Sequence, residues 1–225
     1  RGGSGGVGGR GQGGGGGGVG LDLKGDTRSG VEIVTVELAD PRATAGAVKQ
    51  AAALLDGRID VVVNCAGVML EQELAQVTQQ ALDLTLAINL RAPVLVAQAA
   101  LPFMGEGGCI LNIASELAYL GRAGASLYCA TKGAMLSLTR SWARELGPRI
   151  RVNAIAPGPV DTPLLNFAAQ DEKTRAQDMS NPMGRIGLPD ERARAALFLA
   201  SPDAGFITGQ CLSVDGGAAM HGTVP

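Results

Sequence analysis

The chain reads as an α/β protein of the Rossmann-like class, a doubly wound parallel sheet with helices on both faces. Three observations predict this. Short apolar runs alternate with amphipathic stretches from residue 31 onward. The runs at 59–64, 109–114 and 150–156 are almost continuously apolar, as strands buried on both faces are. Each is followed by small or polar residues, where open α/β sheets bind their ligands.

Taken in order, VEIVTV (31–36) reads as a strand and TAGAVKQAAALL as a helix. IDVVVN (59–64) is a strand, helical stretches occupy 71–103, and CILNIA (109–114) is a further strand. A helix from about Ser126 to Leu146 carries an apolar stripe at Met135, Leu138, Trp142 and Leu146. IRVNAIA (150–156) is a strand stopped by Pro157-Gly158, ERARAALFLAS (191–201) a helix, and QCLSVDGG (210–217) a last strand and turn. LDLKG falls where a second strand of the sheet should end.

Composition narrows the function. At 225 residues and 46% hydrophobic, the chain suits one α/β domain, 1–225. A net charge of −2 without a basic run gives no sign of nucleic acid. Cys65, Cys109, Cys129 and Cys211 lack metal-ligand spacing, which speaks against a metal site and for a reduced, cytoplasmic setting. No stretch reads as long enough to span a membrane. His221 stands alone near the C-terminus, poorly placed for a Ser/His/Asp triad.

Ser115, Tyr128 and Lys132 carry the chemistry. Tyr128 and Lys132, four apart, share one helix face, and Ser115 follows the strand CILNIA. A phenol with a pKa of about 10 is a poor base at neutral pH, and a neighbouring ammonium is expected to lower that value. A tuned Tyr can give a proton to a carbonyl oxygen or take one from an alcohol, while a Ser hydroxyl steadies that oxygen.

These residues resemble the short-chain dehydrogenase/reductase family over roughly 31–217. NCAG (64–67) is similar to its N-x-A-G element. Asn89, Ser115, Tyr128 and Lys132 match its catalytic tetrad in order and spacing. RVNAIAPGPVDTP resembles its P-G segment, and PMGRIGLPDE with FITGQCLSVDGG its C-terminal signature. The resemblance implies an oxidoreductase moving a hydride between a nicotinamide cofactor and an alcohol or ketone. Tyr128 is then the acid/base, Ser115 orients substrate, Lys132 lowers the Tyr pKa and holds the nicotinamide ribose, and Asn89 supports a water relay. Asn64, Ala66, Gly67, Ile113, Pro157, Gly158, Val160 and Thr162 would line the cofactor cleft, and 163–183 would be a substrate lid. A homotetramer is implied as well. Alternatives are a 3-oxoacyl-carrier-protein reductase using NADPH and a catalytically silent dinucleotide-binding protein. Leu117, Tyr119, Leu120, Leu164, Leu165 and Phe167 suggest a partly apolar pocket.

The first twenty residues are anomalous, fourteen of them glycine. Gly2, Ser4, Gly6, Val7 and Gly8 fit the family's phosphate-binding pattern, a turn at a helix N-terminus; Gly14, Gly18 and Gly20 fit its glycines too, and the first register is preferred for where it puts LDLKG. In that register no strand precedes Arg1, so the first strand of the sheet is missing. A true glycine run would oppose a helix by about 1 kcal/mol per residue and favours a linker. Glycines standing in for other side chains predict a helix over much of 9–18 instead. Asp22, at the end of the second strand, favours NAD over NADP because a carboxylate pairs with ribose hydroxyls; Lys24 leaves NADP open. Glu37 and Leu38 fall at the expected adenine contact.

Overall fold

The computed structural model describes residues 5–9, 17–24, 31–162 and 165–220. Seven strands form one sheet in the order β3-β2-β1-β4-β5-β6-β7. In chain order these are β1 (Gly5–Gly9), β2 (Gly17–Asp22), β3 (Glu32–Thr35), β4 (Val61–Asn64), β5 (Gly108–Ile113), β6 (Ile150–Pro157) and β7 (Cys211–Val214). The helices are α1 (Pro41–Leu54), α2 (Gln79–Leu86), α3 (Ala92–Ala100), the single turn α4 (Leu117–Leu120), α5 (Ser126–Leu146), α6 (Glu172–Asp178) and α7 (Pro189–Ala200).

Local chemistry sets the boundaries. Asp40 caps α1 by accepting from the Arg42 and Ala43 amides, with Pro41 in the first turn, where its missing N–H costs nothing. Thr78 caps α2 in the same way. The α5 stripe is core packing. Met135 is 1% exposed, and Trp142 and Leu146 lie against the main core. That core joins α1, α3 and α5 to one face of the sheet. On the other face Leu199 of α7 packs against Cys109, Leu111 and Ile155. Between α2 and α3 the helix widens into a π segment, Ala87–Arg91. The joined run Gln79–Phe103 is long and apolar enough to cross a membrane by length and composition, against the sequence reading. Half of its most apolar window is buried inside the fold, as befits a core helix.

The strands β4, β5, β6 and β7 pair in parallel, with Asn64 opposite Asn112, Ile113 opposite Ile155 and Pro157 opposite Val214. Their carboxyl ends therefore finish along one edge. Here the N-terminus departs from expectation. A first strand is present and central, but it runs antiparallel to both neighbours. Gly6 pairs with Gly20 and Val63, Val7 with Val19 and Val62, and Gly8 with Gly18 and Val61. These three residues thus belong to a strand paired on both sides, and Gly8 lies toward the edge away from the strand carboxyl ends. They do not form a phosphate-binding turn. Gly9, Gly17 and Gly18, at the two ends of the helix expected over much of 9–18, are extended and not helical. Gly2, Ser4 and residues 10–16 lie outside the described residues.

Candidate active site

Strand β5 ends at Ile113, and two residues later Ser115 stands at the sheet's carboxyl edge. Helix α5 brings Tyr128 to the same place from above. Both line a cavity of about 120 Å³, together with Cys65, Ile113, Pro157, Gly158, Val160, Thr162 and Arg192. This cavity adjoins a larger one of about 820 Å³, and Glu116, Leu117, Arg122, Pro159 and Asp178 line both.

Lys132 sits behind Tyr128, 4% exposed, with Nζ donating to the Ile113 carbonyl at 2.7 Å and lying 5.6 Å from the phenol ring centre. Burial pushes its pKa down to about 8. Tyr128 moves the other way from the sequence expectation. Burial raises its pKa, and a hydrogen bond with Ser115 only partly opposes this. At neutral pH the phenol holds its proton, ready to act as an acid. Sequence reasoning weighed the ammonium and not the desolvation, which is the larger effect here.

Asn89 lies in the π segment, a geometry common at functional sites. It is 1% exposed. Its Oδ1 accepts from the Val68 amide and its Nδ2 donates to the Val68 carbonyl, each at 2.8 Å, with a further bond to Thr131 Oγ1 at 3.2 Å. The amide thus clamps the loop after β4. It also brings Asn89 Oδ1 and Lys132 Nζ to where a Cβ on Gly67 would meet each at 3.6 Å. Asn64 is turned inward. Its Nδ2 donates to Asn112 Oδ1 at 2.9 Å, and Asn112 in turn donates to Thr139 Oγ1. Asn112, Thr131 and Thr139 were missed from sequence. The signal was there in Asn112, a polar residue inside the apolar run CILNIA, which had to find a buried partner.

At the far side of the sheet, Asp22 closes β2, and its Oδ1 accepts from the Lys24 amide at 3.4 Å. Glu37 is exposed and accepts from the Ala39 amide, while Leu38 is buried in the main core. Leu38 therefore packs beneath the surface and offers no side chain to an adenine.

The pocket is more polar than the sequence suggested. The larger cavity is lined by Glu71, Glu73, Glu116, Asp178 and Arg122, with Leu117 and Leu120 as its apolar part. Tyr119 is 44% exposed and lines neither cavity. Leu165 and Asp178 reach the inner cavity from the segment 165–178, which holds α6; Leu164 lies outside the described residues. Glu116 is 8% exposed, and its Oε2 has no hydrogen-bond partner. Burial, then Asp215 and Asp178, raise its pKa to about 8, against the pull of Arg122.

A largely parallel α/β sheet with a phenol, a hydroxyl and a buried ammonium gathered at the carboxyl edge of its parallel strands is the arrangement of a dinucleotide-dependent oxidoreductase. Comparison with known proteins agrees. Residues 23–219 match the family model described as enoyl-(acyl carrier protein) reductase. The 3-oxoacyl-[acyl-carrier-protein] reductase of Thermotoga maritima is 39% identical over 168 residues, 73% of this chain and 68% of that protein. Two solved structures are close. One is a blue fluorescent protein from a metagenomic library in complex with NADPH (39% identity, TM-score 0.79, 84% of this chain and 76% of that one). The other is 3-ketoacyl-(acyl-carrier-protein) reductase from Brucella melitensis complexed with NADH (35% identity, TM-score 0.77, 85% and 80%). The chain belongs to the short-chain dehydrogenase/reductase family, whose members transfer a hydride with a nicotinamide cofactor.

The residues present fit the nicotinamide half of such a cofactor. Ile113, Pro157, Gly158, Val160 and Thr162 line the Tyr128 cavity, and the bare Gly67 leaves room in front of Lys132 Nζ. The glycines of β1 are taken up in strand pairing and supply no cradle at this edge.

Proposed function

We propose that the protein interconverts an alcohol and a ketone at the Ser115–Tyr128 cavity. The carrying observation is the shared cavity: phenol, hydroxyl and the P-G segment face one space, with Lys132 immediately behind. When bound, the cofactor supplies or takes the hydride. In the reducing direction Tyr128 delivers its proton to the carbonyl oxygen, and Ser115 donates a hydrogen bond that holds that oxygen in place. Lys132, already anchored to the Ile113 carbonyl, keeps its charge beside the forming phenolate. Asn89 positions the Val68 loop against this group. Leu165 and Asp178, from the lid segment 163–183, limit water at the cavity.

Asp22 at the end of β2 supports NAD as the partner. A 3-oxoacyl-carrier-protein reductase using NADPH is the second reading, favoured by the likeness to the Thermotoga maritima enzyme. The larger cavity weighs against it, because Glu71, Glu73 and Asp178 outnumber its two leucines, Leu117 and Leu120, and an acyl chain gains little beside charged groups. We further propose a cytoplasmic homo-oligomer, supported by the four free cysteines and by exposed Leu197, Phe198 and Phe206. The test is a panel of alcohols with NAD and NADP and of ketones with NADH and NADPH. Turnover of neutral, polar ketones with NADH supports the reading. Turnover confined to acyl thioesters with NADPH would replace it with the second.

A further inference from the structure

The two cavities at the site differ in charge. Glu116, Asp178 and Arg122 line both. The inner one adds Arg192, with Lys132 behind Tyr128, whereas the outer one adds Glu71 and Glu73. Arg122 is the only basic residue among those lining the outer cavity, and it pairs with Glu71 at 3.3 Å. Glu73, Glu116 and Asp178 form no ion pair among the described residues. Asp178 accepts from Gln170 Nε2 at 2.9 Å, a neutral donor. Glu116 is the least compensated. It follows Ser115, is 8% exposed, and its Oε2 lies without a partner beside Gly158, where an added Cβ would meet it at 2.5 Å. A buried carboxyl is costly until a donor or a cation meets it. Burial, then Asp215 and Asp178, oppose its ionisation, and Arg122, already held by Glu71, favours it. Asp215 is itself satisfied by the Gly217 and Ala219 amides. The other charged or titratable groups that share a cavity wall with Glu116 are Tyr128, Arg192, Glu71 and Glu73.

We propose that the outer cavity is a subsite for a cationic group of the substrate, so that the ketone reduced at Tyr128 carries an ammonium which Glu73, Asp178 and Glu116 receive. The proposal rests on the alcohol–ketone reading above and names the substrate class of that same site. Charge selects a cation over a neutral polyol. Hydroxyls would meet the acceptors and leave the like charges of Glu73 and Asp178 in place, whereas a cation offsets them. Charge also sets the orientation. Arg192 and Lys132 repel an ammonium from the inner cavity, so the carbonyl end enters first, toward Ser115 and Tyr128. A cation beside Glu116 favours its carboxylate, so arrival of the substrate releases the Glu116 proton.

The experiment compares two ketones of the same shape, reduced with NADH and with NADPH, one ending in a trimethylammonium group and the other in a tert-butyl group. The first is charged at every pH, so only the protein titrates. The ratio of their kcat/KM values cancels any loss of folded protein in a variant. In the unaltered protein at pH 7 the cation should be favoured about 10-fold, and less so at high salt. The ratio should rise between pH 7 and 9, because Glu116 ionises at about 8. Glu116→Gln should abolish that rise, and Glu73→Gln should lower the ratio while the rise persists. A ratio near one in the unaltered protein, with both ketones reduced, would overturn the subsite and leave the Ser115–Tyr128 reading standing. So would a neutral polyhydroxylated ketone reduced faster than the cation at every pH. A rise with pH that persists in Glu116→Gln would remove Glu116 from the subsite. Reduction of neither ketone by a protein that binds NADH, as followed by fluorescence, would overturn this proposal alone. Failure to bind either dinucleotide would overturn the nicotinamide reading and this proposal with it.

Discussion

Glu116 sits where three strand ends meet, and its replacement by Gln should change how stability depends on pH. Its carboxyl is 8% exposed, beside Asp215 and Asp178, and Oε2 lacks a partner. Between the ordinary value of 4.5 and the folded value of about 8, the native carboxyl holds a proton that the unfolded chain has released. Stability therefore falls as pH rises through this window and levels off above it. At about 1.4 kcal/mol per unit, the rise caps the loss at about 5 kcal/mol. Movement of the ionised side chain toward the adjoining cavity reduces the expected loss to about 2–4 kcal/mol. Glu116→Gln keeps the shape and removes the titration. Urea unfolding of both proteins at pH 5, 6, 7 and 8 isolates the effect, because every other titrating group is common to the two. The two proteins should be alike within about 1 kcal/mol at pH 5, apart from the exchange of a hydroxyl for an amide. The variant should be the more stable by about 2–4 kcal/mol at pH 8. A difference that does not change with pH would refute the neutral, buried state of Glu116.

Three further outcomes follow from contacts in the same region. Gly158→Ala would place a Cβ 2.5 Å from Glu116 Oε2 and 2.8 Å from the Asp215 Cα. The backbone cannot yield as a flexible side chain would, so a loss of about 1–3 kcal/mol is expected in chemical denaturation. Asn89→Ala removes both bonds to the Val68 backbone, and about 2–3 kcal/mol of stability should go with them. Hydrogen exchange at the Val68 amide should quicken in the same variant. Lys132→Met removes a buried base whose pKa is held down to about 8. In the unaltered protein this group adds stability as pH rises from about 8 toward the ordinary value of 10.5; the variant should lack that increment in denaturation at pH 8 and 9.5.

The sequence made the centre of the fold legible because burial on both faces writes itself into composition. The runs at 59–64, 109–114 and 150–156 became β4, β5 and β6 with shifts of a residue or two, and α5 spans Ser126–Leu146, ending with its apolar stripe. Ser115 and Tyr128 were readable for the same reason, since a strand end and a helix face are fixed by those elements. The glycine-rich start was not readable. Glycine has no side chain to set a period and tolerates helix, strand and turn geometry alike, so local pattern could not choose among linker, helix and strand. Strand pairing with Val61, Val62 and Val63 places Gly6, Val7 and Gly8 in the sheet. Nor could spacing reveal that Leu38 turns into the core, or that Glu116, next to Ser115, is buried against two carboxylates. These depend on how β6 and β7 close over the end of β5, a contact between residues far apart in the chain.

The central claim is that Tyr128 is the proton donor of a nicotinamide-dependent reduction, and Tyr128→Phe tests it most directly. The substitution removes one oxygen and leaves the ring against Lys132. Ketone reduction with NADH should fall by at least about 100-fold, while NADH binding measured by fluorescence stays within about threefold of the unaltered protein. Turnover by Tyr128→Phe close to that of the unaltered protein, with NADH still bound, would contradict the account.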